Sequence, residues 1–209
     1  MSLVSDLRAA TPDVAASRES AGLALAGDAE AVARACYDIA VRFHRGGKLI
    51  VFGNGGSGTD ANHVAVEFVH PVIVGKRALP AMALTNDPAT LTGVANREGF
   101  AEVFAHQVRC FADPPDIALG ISPDGRCANV LRALETAHEL GLLTLALVGD
   151  GGDGGGALAS SGAVDHLLTA HASDPCVVKE IHVTTYHILW ELVHVFFEQP
   201  GLLSPEVIG

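Results

Sequence analysis

His63 and Glu67 stand four residues apart in the stretch Thr59-Asp60-Ala61-Asn62-His63-Val64-Ala65-Val66-Glu67, whose apolar spacing is helical. That interval puts an imidazole and a carboxylate on one helix face, where they can pass a proton or share a metal ion. A second set of candidates lies far along the chain, in an amphipathic segment from Cys176 to about Glu198 that Pro200-Gly201 stops. Lys179, Val183 and His187 fall at i, i+4 and i+8 there, while Glu180, His187, Glu191 and His194 follow a neighbouring stripe. Ionisable groups within so apolar a helix (Ile188, Leu189, Trp190, Leu192, Val193, Val195, Phe196) point to a buried site. His182 and His194 are read as packing residues.

The elements that must position these groups show in the apolar pattern. Leu49–Phe52 is a short apolar run that breaks into Gly53-Asn54-Gly55-Gly56-Ser57-Gly58 and opens onto a helix expected to begin near Thr59. Glycines let backbone approach a ligand, and free N–H groups at a helix start favour anions, so the loop reads as a phosphate cradle. A cradle leading into an acid/base or metal-ligating pair is the layout of a phosphosugar enzyme.

Further strands are predicted at Ala81–Leu84, Ile117–Ile121, Leu143–Val148 and His166–Thr169, and helices starting near Pro88, Phe100, Ala128, Gly156 and Cys176. One or two helices are expected over residues 17–44, punctuated at Gly27-Asp28. Continuous apolar strands alternating with amphipathic segments predict an α/β fold, a doubly wound parallel sheet with helices on both faces. Ligands then sit beyond the carboxyl ends of the strands, where Asn54–Ser57, Thr85–Asp87, Ser122–Cys127 and Gly149–Gly155 should converge. The run Asp150-Gly151-Gly152-Asp153-Gly154-Gly155-Gly156 is a single copy, read as a mobile turn without a site.

With 209 residues the chain suits a single domain, its first 45 or so a helical segment and 46–198 an α/β core. Its formal net charge of -11 and the lack of a Lys/Arg cluster argue against a nucleic-acid surface. The mean hydropathy of +0.33 is high, yet no apolar run approaches a membrane span, which suggests extensive burial with subunit interfaces. Cys36, Cys110, Cys127 and Cys176 are widely spaced, as for reduced thiols, and Met1-Ser2-Leu3-Val4-Ser5-Asp6 lacks the pattern of a signal peptide. A cytoplasmic location is therefore expected.

The chain resembles the sugar isomerase (SIS) domain family, and within it the phosphoheptose isomerases. The resemblance rests on Gly53-Asn54-Gly55-Gly56-Ser57, Asp60-Ala61-Asn62-His63, Glu67, Gly120-Ile121-Ser122, Gly125, Ala128-Asn129-Val130, and Glu180-Ile181-His182 followed by His187, in order over about residues 35–198. It implies a homotetramer of five-stranded, flavodoxin-like α/β sandwiches with active sites shared between subunits. It also implies conversion of sedoheptulose 7-phosphate to a heptose 7-phosphate through an enediol, with Glu67 as base and His187 as partner acid. Shielding from water can raise a carboxylate's pKa toward neutrality, where imidazole already titrates. Substrate contacts are implied for Asn54, Gly55, Gly56, Ser57, His63, Glu67, Asn96, Arg97, Ser122, Pro123, Asp124, Cys127 and Lys179. Zinc is implied at His63, Glu67 and His187; no nucleotide cofactor is implied.

The sequence departs from the family at the ligand shell. Lys179 stands where the family has a metal- and substrate-binding glutamine; an ammonium is a poor zinc ligand but could attract phosphate, polarise a carbonyl or pair with Glu67 and weaken it as a base. Three ligands plus water still make a catalytic zinc site, so zinc-bearing and metal-free readings both stand. The family's hydroxyl-rich phosphate loop becomes Ser122-Pro123-Asp124-Gly125-Arg126-Cys127, which loses an N–H and gains a carboxylate, with Arg126 able to compensate if it turns inward. Phe68-Val69-His70-Pro71 lacks the family's arginine, for which Lys76 or Arg77 could substitute, and Asn96-Arg97 keeps only the amide of an Asn-Asp pair. Two functions therefore compete: a sugar-phosphate isomerase, and a non-catalytic sensor or protein-binding scaffold. An isomerase of another sugar is a third.

Overall fold

The computed structural model describes residues 3–203. Its elements are, in order, α1 (Leu3–Gly27), α2 (Ala29–His44), β1 (Leu49–Gly53), α3 (Gly56–Val69), β2 (Ala81–Ala83), α4 (Pro88–Glu98), α5 (Val103–Phe111), β3 (Ile117–Ser122), α6 (Ala128–Glu139), β4 (Leu143–Gly149), α7 (Gly156–Ser160), β5 (His166–Ala170) and α8 (Pro175–Glu198). All five strands are parallel in the order β2-β1-β3-β4-β5, with Leu49 beside Ile117 and Ile117 beside Leu143.

Strand alternation sorts the core into two layers. Ile50 and Phe52 face a cluster with Phe104, Val130 and Leu134, whereas Leu49 and Val51 face Ile39, Val64, Tyr186 and Leu189. Because both faces are covered, the three central strands are buried at every position. α3 and α8 share one layer, with α2 packed on α8. Cys36 lies in that layer, its thiol pushed up to about 12 by burial, so it is an inert core residue.

The predicted five-stranded, doubly wound sheet is present, with strand ends differing by a residue. The helices differ more. α3 starts at Gly56 rather than near Thr59, because Gly55 at φ 53° turns the chain straight from the strand into the helix. The helix predicted near Phe100 opens as a 3-10 turn, Phe100–Glu102, before α5. α8 starts at Pro175, with Asp174 as its cap accepting from the Cys176 N–H at 2.8 Å. The N-terminal segment is two helices broken at Asp28, as the Gly27-Asp28 punctuation suggests, and Leu23 on it is exposed.

Candidate active site

The strand order reverses direction between β1 and β3, and in such sheets the crevice beyond that point receives ligands. The loops after these strands meet there. Asn54 and Asn129 exchange two amide hydrogen bonds of 2.8 Å, tying the turn after β1 to the first turn of α6. Gly53 allows the close approach: a Cβ on it would lie 2.8 Å from the Ser57 Cβ and 2.9 Å from the Ile121 carbonyl.

α3 and α8 run parallel along one side of this crevice with a constant offset. Gly56 meets Lys179, His63 meets Tyr186 and Glu67 meets Trp190, each pair 123 residues apart. The Trp190 indole donates to the Glu67 carbonyl at 2.9 Å and pins the far end of the seam. His63 lies between two partners, with Nδ1 2.7 Å from the Tyr186 hydroxyl and Nε2 3.2 Å from Glu67 Oε1. Burial, with Asp60 and Glu67 adding to it, pushes the Tyr186 phenol well above its ordinary value, so it stays protonated. The carboxylate can only accept, so Nε2–H donates to Glu67 and Nδ1 accepts from Tyr186. His187 packs edge-on to both His63 and Tyr186, and the ligand atoms of His63, Glu67 and His187 all lie within 4.8 Å of one another.

The other α8 candidates scatter. Glu180 pairs with Arg18 on α1, Glu191 is exposed, and His194 is buried between the Trp190 and Arg77 carbonyls. Lys179 does not reach Glu67. Its ammonium binds both oxygens of Asp60 at 2.7 and 2.8 Å and the Gly56 carbonyl at 3.1 Å, which corrects the expected Glu67 pairing. Asp60, 7 % exposed on its side chain, is the stronger attractor because its buried carboxylate pairs with no other cation among the described residues.

At the ligand end, Ser122 is buried and Asp124 folds back onto its own loop, its Oδ1 accepting from the Arg126 N–H at 3.1 Å and the Ser122 hydroxyl at 3.4 Å. Arg126 turns away from the crevice to pair with Asp153, so it is not the inward phosphate ligand the sequence allowed. Lys76 pairs with Glu198, and Arg77 lies over the Phe197 ring, so neither replaces the absent arginine. Asn96 and Arg97 sit exposed on the last turn of α4 and do not line the crevice. The glycine run after β4 is a buttress: Leu158 N–H donates to the Gly125 carbonyl, and a Cβ on Gly125 would lie 1.7 Å from the Gly155 oxygen. The crevice comprises a cleft of about 460 Å³, walled by Asn54, Gly55, Pro123, Asp124, Cys127 and Ser173, and an adjoining pocket of about 120 Å³ against α8.

Residues 15–149 match the family model described as the SIS domain. The phosphoheptose isomerase of Desulfovibrio desulfuricans is 44% identical over 170 residues, covering 80% of this chain and 78% of that protein. That of Crocosphaera subtropica is 44% identical over 165 residues, covering 78% and 82%. Among solved structures, the phosphoheptose isomerase of Francisella tularensis superposes with a TM-score of 0.82 at 30% identity, over 93% of this chain and 99% of that one. GmhA of Neisseria gonorrhoeae gives 0.80 at 29%, over 90% and 98%.

The chain belongs to the SIS-domain family, among its phosphoheptose isomerases. The glycine turn and the His63–Glu67 face of this SIS domain were readable from sequence, but Tyr186 was not. Its role depends on the interhelical offset, which leaves no local signal. The Asp60–Lys179 pair was half visible, since Asp60 precedes His63 by one helical turn on the same face.

Proposed function

We propose that this SIS domain, spanning the α/β core with its N-terminal helices, isomerises sedoheptulose 7-phosphate to a heptose 7-phosphate. The observation that carries this reading is the His63–Glu67–His187 cluster, whose first two members stand on the helix that the glycine turn opens, in a chain 44% identical over 170 residues to a phosphoheptose isomerase. In the metal-free site, Glu67 takes the proton from C1 of the ketose while His187, as the partner acid, gives one to the carbonyl oxygen at C2, forming an enediol. The O1 proton then returns to the imidazole and the Glu67 proton passes to C2, so no atom is gained or lost. Tyr186 fixes the ring of His63, and the Trp190 bond to its carbonyl fixes Glu67 at the helix end.

The donor set of two imidazoles and one carboxylate suits zinc: with an ion taking Nε2 of His63 in place of its proton, Nδ1–H would donate to the Tyr186 oxygen, the kind of outer partner that orients a ligating histidine. His63, Glu67 and His187 would hold the ion, with Lys179 outside the set. A bound zinc would supply Lewis-acid polarisation of the substrate carbonyl. On this reading the sugar phosphate occupies the cleft walled by Asn54, Gly55, Pro123, Asp124 and Cys127, with Gly56 and Ser57 in the adjoining pocket and Ser122 buried beneath the loop.

A shared site in a homotetramer is supported by apolar residues exposed beside it. Val66, Val69, Val72, Ile73 and Val74 form a run on the last turns of α3 and the loop after it, and His63 and His187 are themselves exposed on a single chain. Light scattering should give four copies, and Val72→Asp with Val74→Asp should lower that number. The activity is tested by turnover of sedoheptulose 7-phosphate with and without zinc, beside Glu67→Gln. A folded, metal-supplied protein that leaves the ketose unchanged would sink the assignment.

A further inference from the structure

α8 buries two histidines, and they are treated differently. His194 has a carbonyl for each ring nitrogen, from Trp190 at 2.7 Å and Arg77 at 2.9 Å. His182, only 2 % exposed, has no partner for Nε2 among the described residues. An unpaired polar atom at that depth is costly, and a native fold keeps one where something else completes it. His182 lies in the wall of the 120 Å³ pocket, together with Asn54, Ser57, Asp60 and Lys179.

The chemistry of this pocket selects its ligand. Burial holds His182 in the neutral form, against a hydrogen bond to the Val148 backbone and the nearby Asp60 charge that favour the proton. A ring N–H serves that backbone carbonyl, and because Nε2 is the nitrogen without a partner, Nδ1 carries the proton and Nε2 presents a lone pair. Lys179 cannot supply the missing donor, since its three N–H groups go to the two Asp60 oxygens and the Gly56 carbonyl. Asp60 and Lys179 neutralise each other, so the pocket offers no net charge to an anion. A neutral hydrogen-bond donor fits, and a sugar hydroxyl is one.

We propose that His182 is a substrate-binding residue whose Nε2 accepts a hydroxyl of the sugar chain in the pocket beside the Asp60–Lys179 pair. The proposal rests on the isomerase reading for its ligand and assigns hydroxyls between the carbonyl and the phosphate to this pocket, which adjoins the larger cleft. The Asp60–Lys179 pair acts as a positioning device, holding α8 against the first turn of α3 so that the pocket keeps its shape.

The test is calorimetric titration with a heptitol 7-phosphate, which keeps the hydroxyls but has no carbonyl to react, and with inorganic phosphate as a second probe. His182→Leu should weaken the heptitol phosphate about tenfold and leave inorganic phosphate within about twofold, the size expected for one lost neutral hydrogen bond. His182→Gln, which can still place an acceptor there, should recover to within about threefold of the parent. In turnover the Leu variant should raise KM and spare kcat. Equal heptitol phosphate binding by the parent and the Leu variant overturns the proposal, as when the pocket holds only water. So does a parallel loss of both probes, or a Gln variant as weak as the Leu variant, since each marks a packing role. Failure of the parent to bind the heptitol phosphate overturns it too. If His182→Leu does not fold, His182→Met takes its place. A parent that binds the heptitol phosphate but never isomerises the ketose defeats the activity alone; an active parent indifferent to His182→Leu defeats this inference alone.

Discussion

The two parts of the candidate site are built from different material. The chemical end stands on α3 and α8, whose residues meet at a constant offset from Gly56–Lys179 to Glu67–Trp190. The ligand end stands on the loops after β3 and β4, where Asp124 bonds its own loop and Arg126 is drawn off to Asp153. Helix register leaves little room for change, because moving one residue rotates every side chain on the face. Loops tolerate exchange provided their backbone is braced, and here the braces run between backbones, from Gly149 N–H to Pro123 and from Leu158 N–H to Gly125. His63, Glu67 and His187 are therefore held by helix register, and Ser122–Cys127 by backbone braces.

Breaking the chemical end should give the largest effects. Glu67→Gln removes the proton acceptor and should lower kcat by about a thousandfold in the isomerase assay, with substrate affinity little changed. Tyr186→Phe leaves His63 without its orienting hydroxyl and should weaken zinc binding by about tenfold, measured by competition with a chelating dye. An unchanged zinc affinity would mean that packing alone orients the ring.

The seam between the two ends should report through stability. Lys179→Met strands the Asp60 carboxylate and should cost about 1–3 kcal/mol in urea denaturation, less than a fully buried pair because the lysine is half exposed. Asp60→Asn combined with Lys179→Gln should recover most of that loss, since neither partner then leaves a buried charge. The smallest effect belongs to the ligand end. Asp124→Asn removes a carboxylate from the wall of the cleft and should lower KM for the phosphorylated ketose about twofold to fivefold, as expected for one like charge near solvent. A rise in KM would show instead that the carboxylate's grip on Arg126 N–H keeps the loop in its binding shape.

Much of the fold was legible because its signals are local. The apolar runs at Leu49–Phe52, Ile117–Ile121 and Leu143–Val148 became the buried centre of the sheet, and Gly53 with Gly55 marked the turn that feeds α3. Helix starts were less legible. The turn at Gly55 and the cap at Asp174 begin α3 and α8 earlier than their apolar spacing suggests, since polar and glycine residues in a first turn leave no hydrophobic mark. The basic residues were the least legible. Lys179, Arg126, Lys76 and Arg77 are long side chains whose partners (Asp60, Asp153, Glu198, Phe197) lie 27 to 122 positions away in sequence, so the chain alone could say what each is able to bind but not what it finds.

By itself the sequence determined the parallel α/β architecture, the glycine turn and the face that carries His63 and Glu67, because periodicity and backbone freedom are set by neighbours a few residues apart. Only the tertiary structure decided that His187 joins that face and Tyr186 orients it, that Lys179 serves Asp60, and that among the described residues His182 Nε2 is left without a partner whereas each His194 nitrogen meets a carbonyl. Those outcomes depend on the docking of α8 along α3, a contact between segments more than a hundred residues apart that no local pattern encodes.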